Sequence, residues 1–331
     1  MTKIGIIANP FSGKDIRRIV SGARVISHQE KANIIKRLVV GLQAMGDCEI
    51  WLMPDGSGLS RKILEIGDFK ARLVDLPELT GTWRDSYRAT KAMVEAGVGV
   101  IVTLGGDGTN RIVAKACEDV PLVPISTGTN NAFPQLIEGT LAGLAAAKVA
   151  ASGAFSKRFC TQQPVLEIVD DSGALVDIAL VDIAIVRSAI RGTLAVWEVA
   201  DIHAALVTSA RADVIGLSAL AGSVVPGGMP ALVQLGAKGC QVQAAIAPGI
   251  VDVVNVERAD VLEKGVVIPL GPEGAMLALD GEREIRLTAD RPLFARYSTN
   301  GPWVVDIQAT LSAGARNQTA QDQTKDVVHG T

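Results

Sequence analysis

The sequence predicts an α/β domain built on a parallel sheet, followed by a β-rich, sandwich-like second domain, with a site in the cleft between them. Three observations predict this. Over residues 1–152, short apolar runs alternate with stretches of helical spacing, the pattern of a parallel sheet covered by helices on both faces. Near Ser152 the character changes, and residues 153–313 read as short β-segments separated by turns. Between them in importance stands Val98 to Asn110, VGVIVTLGGDGTN, which reads as a buried strand, a tight glycine turn and the start of a helix.

The first strand is Lys3 to Ala8, apolar almost throughout, as burial on both faces requires. Asn9-Pro10-Phe11-Ser12-Gly13-Lys14 follows as a turn set by Pro10 and Gly13. It lacks the spacing of a Walker A loop. Gln29 to Gly46 carries Ile34, Ile35, Leu38, Val39 and Leu42 on one side and reads as a helix. Glu49 to Met53 and Arg72 to Leu76 are expected strands, with a short helix over Leu59 to Ile66. Thr82 to Ala96 is a helix capped by Thr82 or Gly81 and stopped by Gly97. After the central strand a helix is expected from Asn110 to about Glu118, then a strand over Pro121 to Ile125. STGTNNAFP is the loop beyond it. Gly139 to Ala151, rich in Ala, Leu and Gly, reads as a helix packed closely on a neighbour.

In the second domain, strands are expected at Val165 to Val169, Val176 to Val186, Thr193 to Val199 and Ala204 to Val207. More follow at Ala231 to Leu235, Val242 to Ile246, Val251 to Glu257, Gly265 to Leu270 and Ala275 to Leu279. Asp170 to Gly173 is a hairpin turn, and Pro226 to Pro230 an exposed loop. Trp303 to Ala309 is apolar again. From about Gly314 the tail, residues 314–331, is polar and expected to be disordered.

Composition narrows the function. A net charge of −3 argues against a nucleic-acid partner. The four cysteines are far apart and form no C-x-x-C pair, so neither a zinc site nor a disulfide framework is expected. The three histidines lie at no ligand spacing, and no metal held by protein side chains alone is predicted. No run approaches the ~20 apolar residues of a membrane span, and the start of the chain runs directly into a strand. A cytoplasmic protein with no membrane partner is expected.

The loops carry the chemistry. Gly105, Gly106 and Gly108 let a ligand approach the backbone, and the helix that follows directs its free N–H groups at it. A phosphate chain suits such a loop. Asp107 does not, because a carboxylate beside phosphate is repelled unless it meets a cation or takes a proton. An acid in an anion-binding loop therefore points to phosphoryl transfer. All three polar loops follow strands of the parallel sheet, where ligands bind. Ser12 and Lys14 are within reach of a nucleotide there. Ser126, Thr127 and Thr129 offer hydroxyls, and Asn130 and Asn131 offer amides that can read a ribose or a base edge.

These motifs resemble those of the NAD kinase and diacylglycerol/sphingosine kinase superfamily. NPFSGK resembles its opening N-P-x-S-G-K loop, GGDGT its signature, STGTNNAF the next loop, and Asp280-Gly281-Glu282 its late D-G-E element. Within it the chain most resembles the ATP-NAD kinase branch that includes the acetoin-catabolism X proteins. The resemblance implies ATP and Mg²⁺ as cofactors and a γ-phosphoryl transfer to NAD or a related small metabolite. It implies Asp107 as the catalytic base, with Glu282 as the alternative. Asn9, Ser12, Lys14, Gly105, Gly106, Gly108, Thr109, Thr127, Gly128 and Thr129 would bind the donor nucleotide. Asn130, Asn131, Asp182 and Asp280 would bind the acceptor. A homo-oligomer is the expected assembly.

There are departures. Ala179 to Arg187 resembles a segment reading A-L-N-[DE], but Val181 stands where the asparagine would be. Ala212 to Val225 resembles a stretch ending T-P-T-G-S-T-A-Y, of which only Gly222 and Ser223 survive. These losses bear on NAD as the acceptor and favour one alternative, a non-catalytic nucleotide-binding or regulatory protein; STGTNNAF leans toward another, a diacylglycerol-type lipid kinase.

Overall fold

The computed structural model describes residues 1–12, 26–65, 69–128, 131–187 and 199–313. Five strands, β1 (Thr2–Ala8), β2 (Cys48–Leu52), β3 (Ala71–Leu73), β4 (Val100–Gly105) and β5 (Leu122–Ser126), lie in the order β3-β2-β1-β4-β5, and all are parallel. Their side chains alternate between two apolar layers. Ile4, Ile6, Val100 and Val102 pack on α1 (His28–Gln43), α2 (Leu59–Leu64) and α5 (Gly139–Ala151). Ile7 and Ile101 pack on α3 (Trp83–Glu95) and α4 (Asp107–Ala114). Thr82 caps α3, its side chain accepting from the Arg84 amide.

The chain winds outward from β1 through β2 to β3, then crosses back to add β4 on the other side of β1. The carboxyl ends of β1 and β4 therefore meet where the winding reverses, which is where open α/β sheets leave a crevice. The NPFS turn follows β1, and the GGDGT stretch follows β4.

After α5 the chain forms β6 (Cys160–Gln162), then β7 (Val165–Asp170), β8 (Leu175–Ala179), β9 (Asp182–Val186) and β10 (Ile202–Val207). A short helix, α6 (Leu217–Gly222), precedes the long hairpin of β11 (Ala231–Ala247) and β12 (Ile250–Val261). The remaining strands are β13 (Val267–Pro269), β14 (Met276–Leu279), β15 (Glu282–Arg286), β16 (Leu293–Ser298) and β17 (Trp303–Val305). Two antiparallel sheets result, in the orders β12-β11-β10-β9-β14-β15 and β13-β16-β7-β8. They face each other through Leu166, Ile168, Ile183, Leu206, Leu277 and Leu293. β17 returns to the first sheet beside β5, and β6 pairs antiparallel to it.

The structure redraws several elements. The segment expected as one strand over Val176 to Val186 is two, β8 and β9, placed in different sheets. Conversely, Ala231 to Leu235 and Val242 to Ile246 belong to the single strand β11, whose register slips between Leu235 and Cys240. The helix expected from Asn110 begins three residues earlier, at Asp107. β15, β16 and α6 were not expected. Of Thr193 to Val199 only Val199 lies within the described residues, and it opens a 3₁₀ turn. The four cysteines form no disulfide. Cys240 is exposed, and burial pushes the Cys117 thiol up to about 12. Among the described residues no helix is long and apolar enough to cross a membrane.

The close packing expected of α5 is borne out by glycines on both sides of its contact with α1. A Cβ on Gly41 would collide with the Thr140 carbonyl oxygen, and one on Gly143 with the Leu38 carbonyl oxygen. Gly143→Ala should therefore cost about 1–3 kcal/mol of stability by overpacking, read as a lower urea midpoint at unchanged slope. An unchanged midpoint would show that the two helices part freely.

Candidate active site

Three loops meet at the crevice, and hydrogen bonds tie them together. In the first, the Phe11 amide donates to Asn9 Oδ1 (2.8 Å), closing a turn at the end of β1. Asn9 Nδ2 then donates to Thr109 Oγ1 (2.8 Å), in the second loop. Ser12 Oγ lies 2.9 Å from Thr127 Oγ1, in the third. Beneath the turn, Lys31 of α1 donates from Nζ to the carbonyl oxygens of Asn9 (2.8 Å) and Ser12 (2.9 Å). His28 Nε2 sits 3.0 Å from the Pro10 carbonyl oxygen. Lys14 lies outside the described residues.

The second loop is shorter than its glycines suggest. β4 ends at Gly105, Gly106 is the N-cap, and Asp107, Gly108 and Thr109 form the first turn of α4. The amides of a first turn lack partners within the helix and face outward, so this end favours an anion. Each glycine faces a named side chain, and the first two leave it room that a Cβ would take. A Cβ on Gly105 would strike Thr109; one on Gly106 would lie 2.9 Å from Asn131 Oδ1, and one on Gly108 3.4 Å from Glu282 Oε1. Asn110, fully buried, holds the turn from below. Its Oδ1 accepts from Thr103 Oγ1 (2.6 Å) and its Nδ2 donates to the Gly106 carbonyl oxygen (2.9 Å).

The Asp107 carboxylate crosses to the third loop. It accepts from the Ala132 amide (3.1 and 3.2 Å to its two oxygens) and from the Phe133 amide (2.9 Å). Thr127 is fully buried, and its amide donates to the Gly105 carbonyl oxygen (3.0 Å). Asn131 Nδ2 donates to Ser126 Oγ (2.6 Å), and a Cβ on Gly128 would run into Asn131. Thr129 and Asn130 lie outside the described residues.

The β-rich half closes the site from above. Glu282, at the start of β15, stands over the first turn of α4 beside Gly108. Asp280, expected among the acceptor-binding residues, turns inward. It adopts a left-handed backbone, φ 51°. Its fully buried carboxylate accepts from the amides of Leu180 (3.0 Å), Val181 (2.8 Å) and Asp182 (3.2 Å). Burial holds its carboxyl above the usual range, against the opposing pull of Arg111 and the three amides. Asp182 is itself buried at the head of β9. The stretch aligned with the lost hydroxyl motif is the small helix α6, with Ser218, Ala219, Leu220 and Ala221 buried.

Arg111 joins the halves. It lies on α4 and is 1% exposed; its Nε is 3.8 Å from Asp280 and its Nη1 3.1 Å from Asp177 of β8. Lys115 adds a second contact to Asp177, 2.9 Å. A cavity of about 390 Å³ opens at the far end of α4, lined by Tyr87, Lys115, Glu118 and Asp177 among others. None of the motif residues line it, and the convergent polar groups are at the other end of the helix.

Lys31, Asn110 and Arg111 are the residues that sequence reasoning missed. The available signal was a charged or amide side chain within an apolar helical stripe.

Asp280→Asn should cost about 3–5 kcal/mol, because it removes one of the two carboxylates beside the buried Arg111 and sets an amide N–H₂ against backbone N–H groups. Urea denaturation measures it; a loss below 1 kcal/mol would show that the three amides find other partners.

Residues 4–152 match the ATP-NAD kinase N-terminal domain, and residues 164–300 match the acetoin catabolism protein X C-terminal domain. The chain is 33% identical over 335 residues to the acetoin catabolism protein X of Cupriavidus necator, spanning 95% of this chain and 92% of that one. The GGDGT turn lies in the first matched stretch and the D-G-E element in the second, and Arg111 connects them. The chain therefore belongs to the acetoin catabolism protein X family, with an N-terminal domain of the ATP-NAD kinase kind.

Proposed function

We propose that the chain is an ATP-dependent phosphotransferase of the NAD kinase type, moving the γ-phosphoryl group to a hydroxyl of NAD or a related small metabolite. One observation carries the reading. A carboxylate, Asp107, is fixed by two backbone amides at the N-terminus of a helix, between two polar loops and opposite Glu282. A helix N-terminus prepares a place for phosphate, and the fixed acid beside it handles the proton.

The first-turn amides of α4 and the hydroxyls of Ser12, Thr109 and Thr127 surround the donor's phosphates. The acceptor hydroxyl oxygen attacks the γ-phosphorus as the bond to the β–γ bridging oxygen breaks and ADP departs. The hydroxyl proton passes to Asp107. Asn131 and Asp182 orient the acceptor, and Glu282 is the rival proton acceptor. Among the described residues no group of three His, Cys, Asp or Glu forms a ready cage for a metal. Mg²⁺ suits this site as an ion carried largely by phosphate oxygens, with Asp107 and Glu282 as the nearby carboxylates. When bound, it offsets charge on the transferring group.

A second reading, nucleotide binding without turnover, draws on a specific observation. The oxygens of Asp107 already accept amide hydrogen bonds, which take up lone pairs that a base would offer to a proton.

ADP release from Mg·ATP, with NAD, NADH or buffer alone, separates the two. Under the first reading, Asp107→Asn should lower acceptor-dependent turnover by ~10²–10⁴-fold while ATP still binds. Turnover that survives in Asp107→Asn and falls in Glu282→Gln would move the base to Glu282. ATP binding with no turnover on any acceptor would favour the second reading.

A further inference from the structure

Lys31 has no place in the chemistry above, yet its position is unusual. It is fully buried, on the face of α1 that packs under the first loop. Lysines on amphipathic helices normally keep the ammonium in water, and taking an ammonium out of water costs several kcal/mol unless polar partners compensate. Here the carbonyl oxygens of Asn9 and Ser12 both accept from Nζ, at 2.8 and 2.9 Å.

Those two residues are also the ones that reach the other loops. Asn9 bonds Thr109 on the helix that begins with Asp107, and Ser12 bonds Thr127. One buried group thus fixes the residues that join three loops. It also puts a cation under their convergence, in a region of low dielectric where a charge is felt more strongly than in water.

We propose that Lys31 is a positioning residue for the donor's phosphate chain: its buried ammonium locks the first loop to the other two and supplies positive charge beneath the phosphates. The proposal rests on the nucleotide-binding reading above. A lysine serving only as packing would be indifferent to how many phosphates the ligand carries; one serving through its charge would not.

The test is calorimetric titration of the full chain with adenosine, AMP, ADP and ATP, comparing wild type with Lys31→Met and Lys31→Gln. Lys31→Met should weaken ATP by ~10–100-fold, as expected for losing charged hydrogen-bond donors. The loss should shrink through ADP and AMP and vanish for adenosine. Lys31→Gln keeps one donor without the charge and should show the same gradient. An equal loss for all four ligands, or no loss, overturns the proposal. Wild type that binds none of them overturns the phosphotransferase reading itself, a distinct result. Should neither variant fold, ¹⁵N-lysine labelling of the wild type decides. A Lys31 NH₃⁺ signal that moves with ATP and stays still with adenosine supports the proposal; one that ignores both overturns it.

Discussion

The Asp280 carboxylate is the constraint on which the two halves of this protein depend. It gathers three successive backbone amides, Leu180 to Asp182, and stands beside the Arg111 guanidinium. Breaking such a buried cluster by removing one partner costs about 3–5 kcal/mol. That is a large share of the ~5–15 kcal/mol that holds a domain folded. The consequence is geometric. Arg111 lies one helical turn after Asp107, so the cluster sets how the helix carrying that acid sits under the β-rich half. Glu282, two residues beyond Asp280, comes to rest over the first turn of the same helix. The late D-G-E element therefore aims its glutamate by anchoring its aspartate.

The parallel sheet does the rest of the positioning. Reversal of winding between β1 and β4 leaves their carboxyl ends free of crossing connections, and the first two loops emerge there. The third emerges from β5, next in line. Loops at adjacent strand ends are neighbours, but their mutual order comes from side chains: Asn9 to Thr109, Ser12 to Thr127, and Asp107 to the amides of Ala132 and Phe133. Such cross-links order the loops relative to one another, and fixed polar groups are what the proposed phosphoryl transfer would draw on.

Much of this was legible in the sequence because it rests on local pattern. The apolar period of α1, the unbroken run of β1 and the Ala-Gly composition of α5 each report which faces are buried. What escaped detection was decided by contacts distant in sequence. The start of α4 reads as loop because two glycines flank Asp107, yet Gly106 is there to admit Asn131, and neither glycine breaks the helix. Val176 to Val186 reads as one strand because nothing local interrupts it; Asp280, far along the chain, fastens its middle and sends its ends into different sheets. The stretch between Leu235 and Val242 reads as a break between two strands, whereas β11 runs through it with a slip in register. A buried lysine or arginine in a helix looks like a solvated one until its partners are known.

The same geometry narrows what Asp107 can do. Three N–H···O contacts hold its carboxylate in place and occupy lone pairs, so position is gained at the expense of open acceptor capacity. That exchange suits phosphoryl transfer better than most reactions. Its loose transition state asks less of the base than of the groups that align the attacking oxygen and the leaving phosphate. Under the proposed reading, a carboxylate takes the alcohol's proton late, once the bond to phosphorus has begun to form and the hydroxyl has become acidic. The amides of Ala132 and Phe133 thus act through direction: they keep the carboxylate pointed across the crevice, where the proposed reaction would set the acceptor hydroxyl.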